Sequence, residues 1–146
     1  MIELHPQLQK DCILLGEFSL CALLLNNDAN YPWFILIPMR NNITELHQLN
    51  ADDQQQFLKE SMLLSRCLQA VFKADKINIA ALGNVVPQLH IHHIARFKND
   101  ASWPSPVWGA VPALAYDEPQ YQDIKAKLSD WFGDNNNAGT CRYKPS

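Results

Sequence analysis

Apolar positions along the chain come in two patterns, compact runs and long periodic stretches. Residues 18–25 form the first compact run, apolar enough for a strand buried on both faces or packed beneath helices. Gly16 lies ahead of it and the cluster Asn26-Asn27-Asp28-Ala29-Asn30 ends it, both of them chain-punctuating signals. A second run, Trp33-Phe34-Ile35-Leu36-Ile37, is closed by Pro38. Two runs joined by a short polar connection predict an antiparallel hairpin.

Residues 50–75 carry the first periodic stretch. Phe57, Leu58, Met62, Leu64, Leu68, Val71 and Phe72 recur near the helical period and make a broad apolar stripe. Asn50 suits the N-cap, Asp52 and Asp53 the first turn, and Lys73 and Lys76 the far end, as the helix dipole favours. Residues 77–82 predict a third strand, Gly83-Asn84 a turn, and Pro87 the lead-in to a fourth strand running to about Phe97. Those two strands suggest a second hairpin. Residues 99–112, rich in Pro, Trp and small side chains, read as a loop. Residues 119–132 predict a last helix with Tyr121, Ile124, Leu128, Trp131 and Phe132 on one side, followed by a turn at residues 135–139 and a short tail. The order β-β-α-β-β-α, without repeat or linker, predicts one α+β domain over residues 1–146 with its core in residues 14–98. Its antiparallel sheet has about five strands, with one long and one shorter helix packed on it.

At 146 residues the chain is long enough for one good core. Its 47% hydrophobic content is that of a globular protein. A net charge of −3 with no long run of one sign argues against a dedicated nucleic-acid binder, while a small anionic ligand needs only a local positive site. Cys12, Cys21, Cys67 and Cys141 show no CxxC pair or metal-ligand spacing, and read as reduced structural thiols rather than a disulfide framework. The opening Met1-Ile2-Glu3-Leu4-His5-Pro6 has neither the basic start nor the apolar stretch of a signal peptide, and the run at residues 20–25 is too short to cross a membrane. The expectation is a cytoplasmic protein with no membrane and no nucleic-acid partner.

The candidate chemistry sits in the fourth strand. Gln88-Leu89-His90-Ile91-His92-His93-Ile94 holds three of the five histidines. Strand side chains alternate between faces, so Gln88, His90 and His92 project together, and Leu89, Ile91 and His93 the other way. Three readings of the paired imidazoles stand on these residues alone. They are structural polar groups on a half-buried strand, or they are ligands of a metal such as zinc, or they perform covalent chemistry on phosphate. The metal reading needs further ligands from His5, His47 or a distant Asp, Glu or Cys, and no spacing singles them out. In the third reading, neutral imidazole attacks phosphorus and departs readily afterwards. A neighbouring imidazole or amide hydrogen-bonds the phosphoryl oxygens as charge shifts.

The segment resembles the signature of the histidine triad (HIT) family, His-φ-His-φ-His-φ-φ with φ apolar, with Gln88 in place of the first histidine. The layout is similar too: a strand ending Ile37-Pro38, the segment Ile43-Thr44-Glu45-Leu46, a long helix, and a hairpin ahead of the motif. The resemblance implies a small α+β domain, usually a homodimer, that cleaves at a nucleotide's α-phosphate through a nucleotidyl-histidine intermediate. Its small-molecule substrate would be a nucleoside phosphoramidate, a dinucleoside polyphosphate or a related conjugate. Carried over by position, His90 is the nucleophile and His92 contacts the phosphate or the leaving-group side. The main-chain carbonyl of Gln88 would hold the other ring nitrogen of His90, and the Gln88 amide could donate to a phosphate oxygen.

The same resemblance extends to weaker candidates. Asn27 falls about where the family places a ribose-binding Asp or Asn, although Asn26, Asn27 and Asp28 also suit a plain turn. Asn84 lies near enough for its amide to reach phosphate, and equally suits a left-handed turn. Arg96 shares the parity of His90 and His92 and offers positive charge, with a solvated strand-end arginine as the plainer reading. Trp33 stands where many members carry a further histidine, and it cannot exchange protons at neutral pH. His93 faces away and reads as packed or paired; Trp103 and Trp108 read as core or interface side chains. No cofactor or metal is required to make a histidine nucleophile, though a divalent cation would suit a polyphosphate substrate. The rival is a nucleotide-binding or interaction protein that kept the fold while Gln88 and Trp33 weakened its chemistry.

Overall fold

In a computed structural model, which describes residues 2–135 and 141–146, a short helix α1 (Pro6–Asp11) runs directly into strand β1 (Cys12–Glu17). The chain turns back as β2 (Cys21–Asn26) and again as β3 (Trp33–Pro38), and then forms the long helix α2 (Ala51–Phe72). Strands β4 (Lys76–Ala80) and β5 (Ile91–Arg96), helix α3 (Glu118–Asn135) and a two-residue β6 (Lys144–Pro145) follow. The strands make one antiparallel sheet in the order β4-β5-β3-β2-β1-β6. The fold is α+β, as the alternation of elements predicts, with six strands rather than about five.

The additional strands come from β1 and β6. Gly16 reads as punctuation in the sequence, but it lies inside β1, where the pairing register with β2 shifts between Leu14 and Gly16. A Cβ on Gly16 would sit 2.5 Å from the Lys144 carbonyl oxygen and 2.7 Å from the Tyr143 ring. Glycine is needed there because the C-terminal tail closes against the strand. The run at residues 18–25 is therefore divided. Phe18 and Leu20 are buried in the turn between strands, and β2 begins at Cys21, which pairs with Pro38 of β3. The long helix starts as predicted, with the Asn50 Oδ1 accepting the Asp53 N–H at 2.8 Å. It ends before the predicted boundary, because Lys73 adopts a left-handed φ of 56° as the C-cap and Lys76 already belongs to β4. Helix α3 reaches Asn135; residues 136–139 of the predicted turn lie outside the described residues.

The sheet is apolar on both faces, which explains the unbroken runs in β2 and β3. On one face Leu23, Leu25, Phe34, Leu36 and Ile91 form a core with Leu64 and Leu68 of α2 and Leu128 and Phe132 of α3. On the other, Leu24, Ile35, Ile37 and Ile94 cluster with Leu8 of α1 and with Val86 and Val107 from loops. Strand alternation carries this division through the motif, so Ile91 and His93 face the helices while His92 and Ile94 face α1 and the loops. Among the described residues no helix is long and apolar enough to cross a membrane.

Candidate active site

Strand β5 lies between β4 and β3, with His92 opposite Ile35 on one side and Ala80 on the other. The strand begins at Ile91, so Gln88, Leu89 and His90 are the last residues of the link from β4. That link, residues 81–90, wraps back on the histidines. His90 Nδ1 lies 2.7 Å from the Gln88 main-chain oxygen. A carbonyl only accepts, so Nδ1 carries the proton and Nε2 keeps its lone pair. The ring is largely buried and borders a cleft of about 500 Å³. Gly83 lies against it: a Cβ there would come within 2.7 Å of His90 Cε1 and 2.9 Å of the Val86 carbonyl oxygen. The small residue admits the ring; its φ is not left-handed.

His92 lines the same cleft, its ring centroid 5.0 Å from that of His90. Both of its nitrogens are engaged by the protein. The Trp33 indole N–H donates to His92 Nδ1 at 2.9 Å, and His92 Nε2 lies 2.8 Å from the Leu82 carbonyl oxygen. Indole is only a donor and a carbonyl only an acceptor, which fixes His92 as the neutral tautomer protonated on Nε2. Burial is the main reason its pKa falls to about 4; the charge of a protonated His90 pushes the same way, and the Leu82 hydrogen bond opposes. Neither nitrogen offers a metal a lone pair in this arrangement. Trp33 thus takes the place of a proton-exchanging residue with an N–H that orients the neighbouring histidine.

His93 points to the opposite face, as parity predicts. Its Nε2 is 2.7 Å from Ser61 Oγ on α2, and its Nδ1 is 3.1 Å from the Ile91 carbonyl oxygen. The carbonyl requires the proton on Nδ1, so the serine hydroxyl donates to Nε2. The ring is fully buried, and burial lowers its pKa to about 4. This pair ties the long helix to the motif strand, away from the cleft.

The other candidates divide sharply. Asn84 borders the cleft next to His90, and its backbone is not left-handed. Asn27 is turned away: its side-chain oxygen accepts the Tyr116 N–H at 2.9 Å. Asn26, one residue earlier, borders the cleft instead, 3.9 Å from the Cys12 thiol. Burial, with Asp11 nearby, pushes the Cys12 pKa up to about 12, so the thiol stays protonated. The parity of Leu24 on the cleft face, extended by two residues, would have pointed to Asn26.

Arg96 does not reach the cleft. Its guanidinium is buried and bonds both Asp100 oxygens at 2.8 and 3.1 Å, Asn78 Oδ1 at 2.9 Å and the Ser105 carbonyl at 2.8 Å. Burial alone would raise the Asp100 pKa, but Arg96 and the main-chain N–H groups of Phe97 and Ser102 outweigh it and hold the carboxyl at about 2. This knot orders the loop that brings Val107 and Trp108 to the cleft side; the Trp108 ring stands 5.1 Å from His92. The Gln88 side chain also leaves the cleft, bonding main-chain groups of residues 3 and 5. Sequence reasoning missed α1 altogether, whose Gln7, Leu8 and Asp11 form one wall. Among the described residues no three His, Cys, Asp or Glu side chains converge to hold a metal ion.

An antiparallel α+β sheet, a histidine held in one tautomer by a main-chain carbonyl two residues earlier and a cleft beside it are the arrangement of histidine triad domains. The family model of the HIT domain matches residues 7–99, and the chain belongs to that family. A bis(5'-adenosyl)-triphosphatase of Saccharomyces cerevisiae is 31% identical over 104 residues, which are 68% of this chain and 46% of that protein. The chain thus matches a little under half the length of that relative. A histidine triad protein from Marinobacter aquaeolei VT8 superposes with a TM-score of 0.88 at 46% identity, covering 92% of this chain and 98% of that one. Another from Bradyrhizobium japonicum gives 0.86 at 44% identity, covering 88% and 96%.

Proposed function

We propose that the protein cleaves at the α-phosphate of a nucleoside phosphoramidate or dinucleoside polyphosphate through a nucleotidyl intermediate on His90. The observation that carries this reading is the Nδ1–H bond of His90 to Gln88, which leaves the lone pair on Nε2 of a ring that borders the cleft. In the first step Nε2 bonds the α-phosphorus, and the bond to the leaving group breaks with its electron pair passing to that group; a phosphate leaves as its anion, and an amine leaves as the neutral molecule after its nitrogen takes a proton from solvent. In the second, water attacks the same phosphorus and gives up a proton to solvent, the N–P electron pair returns to His90 Nε2, and a nucleoside monophosphate departs. Asn84 is the side chain that donates to a phosphoryl oxygen, and Asn26 serves the ribose side. His92 acts by orientation, since both its nitrogens are engaged. With Trp33 in the neighbouring position, the reading favours leaving groups that depart without a strong general acid. The bis(5'-adenosyl)-triphosphatase relative supports the substrate class.

We include a homodimer in the proposal, because β4 is an edge strand and leaves Ile79 exposed. Sedimentation of the purified chain tests it. The activity test is a panel of adenosine phosphoramidate and dinucleoside polyphosphates, each with and without chelator. Release of the monophosphate, with phosphoramidate turnover insensitive to chelator, is expected. Binding without turnover would establish the rival, non-catalytic reading. Turnover abolished by chelator and restored by zinc would favour a metal site.

A further inference from the structure

Gln88 contributes to the site twice, with different atoms. Its main-chain oxygen fixes the His90 tautomer, while its side-chain amide grips the N-terminal arm. The Gln88 Oε1 accepts the His5 N–H at 2.8 Å, and Nε2 donates to the Glu3 carbonyl at 3.2 Å. In extended chain the carbonyl of one residue and the N–H two residues on point to the same side. The amide therefore pairs with the arm as a neighbouring strand's peptide would. A histidine at this position carries its two nitrogens on separate ring edges and cannot offer donor and acceptor side by side. The departure from the family signature has a structural use here.

The gripped segment leads straight into the cleft wall. His5 is the N-cap of α1, accepting the Gln7 N–H on Nδ1 at 3.1 Å, and Pro6 starts the helix. Leu8 is buried in one cluster with Trp33 and Val86, and Gln7, Leu8 and Asp11 border the cleft. We infer that the Gln88 amide is a latch that seats the N-terminal arm, so that α1 walls the nucleotide cleft and sets how tightly it holds its ligand. Gln88 is thereby a positioning residue. The kinetic and AMP-binding parts of this inference rest on the proposed function; the seating of the arm, read by amide exchange, does not.

Two substitutions break the latch from opposite sides. Gln88→Met keeps the side-chain length and removes both bonds. His5→Pro removes only the His5 N–H from the pairing; the His5 φ of −53° suits a proline ring. Because His5→Pro also loses the imidazole cap, His5→Ala is the control that keeps the N–H. Amide exchange over residues 2–11 should accelerate roughly tenfold in Gln88→Met, and less in His5→Pro, as expected for hydrogen bonds of ordinary net worth. His5→Ala should fall below both. The double variant should exceed Gln88→Met only by the loss that His5→Ala shows alone, because the N–H bond that His5→Pro removes is already gone and only the imidazole cap remains to be lost. For adenosine phosphoramidate both variants should raise KM more than they lower kcat, and both should weaken AMP binding. Unchanged exchange in Gln88→Met, additive effects in the double variant, or a fall in kcat at constant KM would overturn the latch. A wild type that turns nothing over sinks the hydrolase reading alone, because exchange still decides the latch.

Discussion

Replacing Gly83 with alanine tests how closely the link from β4 holds His90, the proposed nucleophile. The added Cβ would fall 2.7 Å from His90 Cε1, whereas ordinary contact begins at 3.4 Å, so about 0.7 Å must be found. The Val86 main-chain oxygen, at 2.9 Å from the same Cβ, is a second close contact. The His90 ring is the part free to swing, at the expense of its bond to Gln88. Displacements near 1 Å from attack geometry lower rates by about a hundredfold, equivalent to about 2.7 kcal/mol of barrier. Stability should fall as well, by about 1–3 kcal/mol, because the Val86 main-chain oxygen at 2.9 Å cannot yield as a side chain can, even though Gly83 has no left-handed φ to lose. The assay pairs kcat and KM for adenosine phosphoramidate with urea unfolding of the same preparations. Turnover at the wild-type level would refute the reasoning, as would a rate loss fully accounted for by unfolded protein.

Three further outcomes follow from the same geometry. Trp33→Phe leaves His92 Nδ1 without its donor, which should cost about 1–3 kcal/mol in urea unfolding; it should also raise the His92 pKa in an NMR titration, because the indole N–H opposes protonation at that nitrogen. Burial lowers the pKa of both His92 and His93 from 6.5 to about 4. The unfolded chain therefore binds more protons between those values, and stability should be full above about pH 6.5 and fall as pH drops towards 4, by up to about 1.4 kcal/mol per pH unit for each histidine; a flat stability profile over that window would contradict the assignment. Arg96→Lys loses the two-pronged grip on Asp100 and should destabilise the fold by about 1–3 kcal/mol with little effect on KM; a raised KM at unchanged stability would restore the phosphate-binding expectation for Arg96.

The sequence reading succeeds where one physical rule dominates. The start of helix α2 is legible because its cap, its acidic first turn and most of its apolar period agree, whereas Leu58 and Met62 of the expected stripe are exposed and Lys76 lies beyond the helix in β4. The split of His90 and His92 from His93 is legible because strand parity is strict. Strand β1 was hidden by Gly16, whose close approach to the tail depends on residues more than a hundred positions away. Arg96 has the right parity for the cleft face, but the acceptors that bury it lie on other segments, including the loop after β5. Asn27 was one residue beyond the side chain that borders the cleft. The role of Gln88 was half legible: its carbonyl follows from the motif, whereas its amide contacts a segment 83 and 85 positions earlier in the chain.

The central claim is a covalent bond between His90 Nε2 and the α-phosphorus. The direct measurement is rapid quenching of the protein with adenosine phosphoramidate labelled at phosphorus, followed by peptide mapping under alkaline conditions. The account predicts transient label on His90, stable to alkali and lost in acid, and neither label nor turnover in His90→Ala. Sustained turnover with no label on His90, or turnover surviving in His90→Ala, would contradict it.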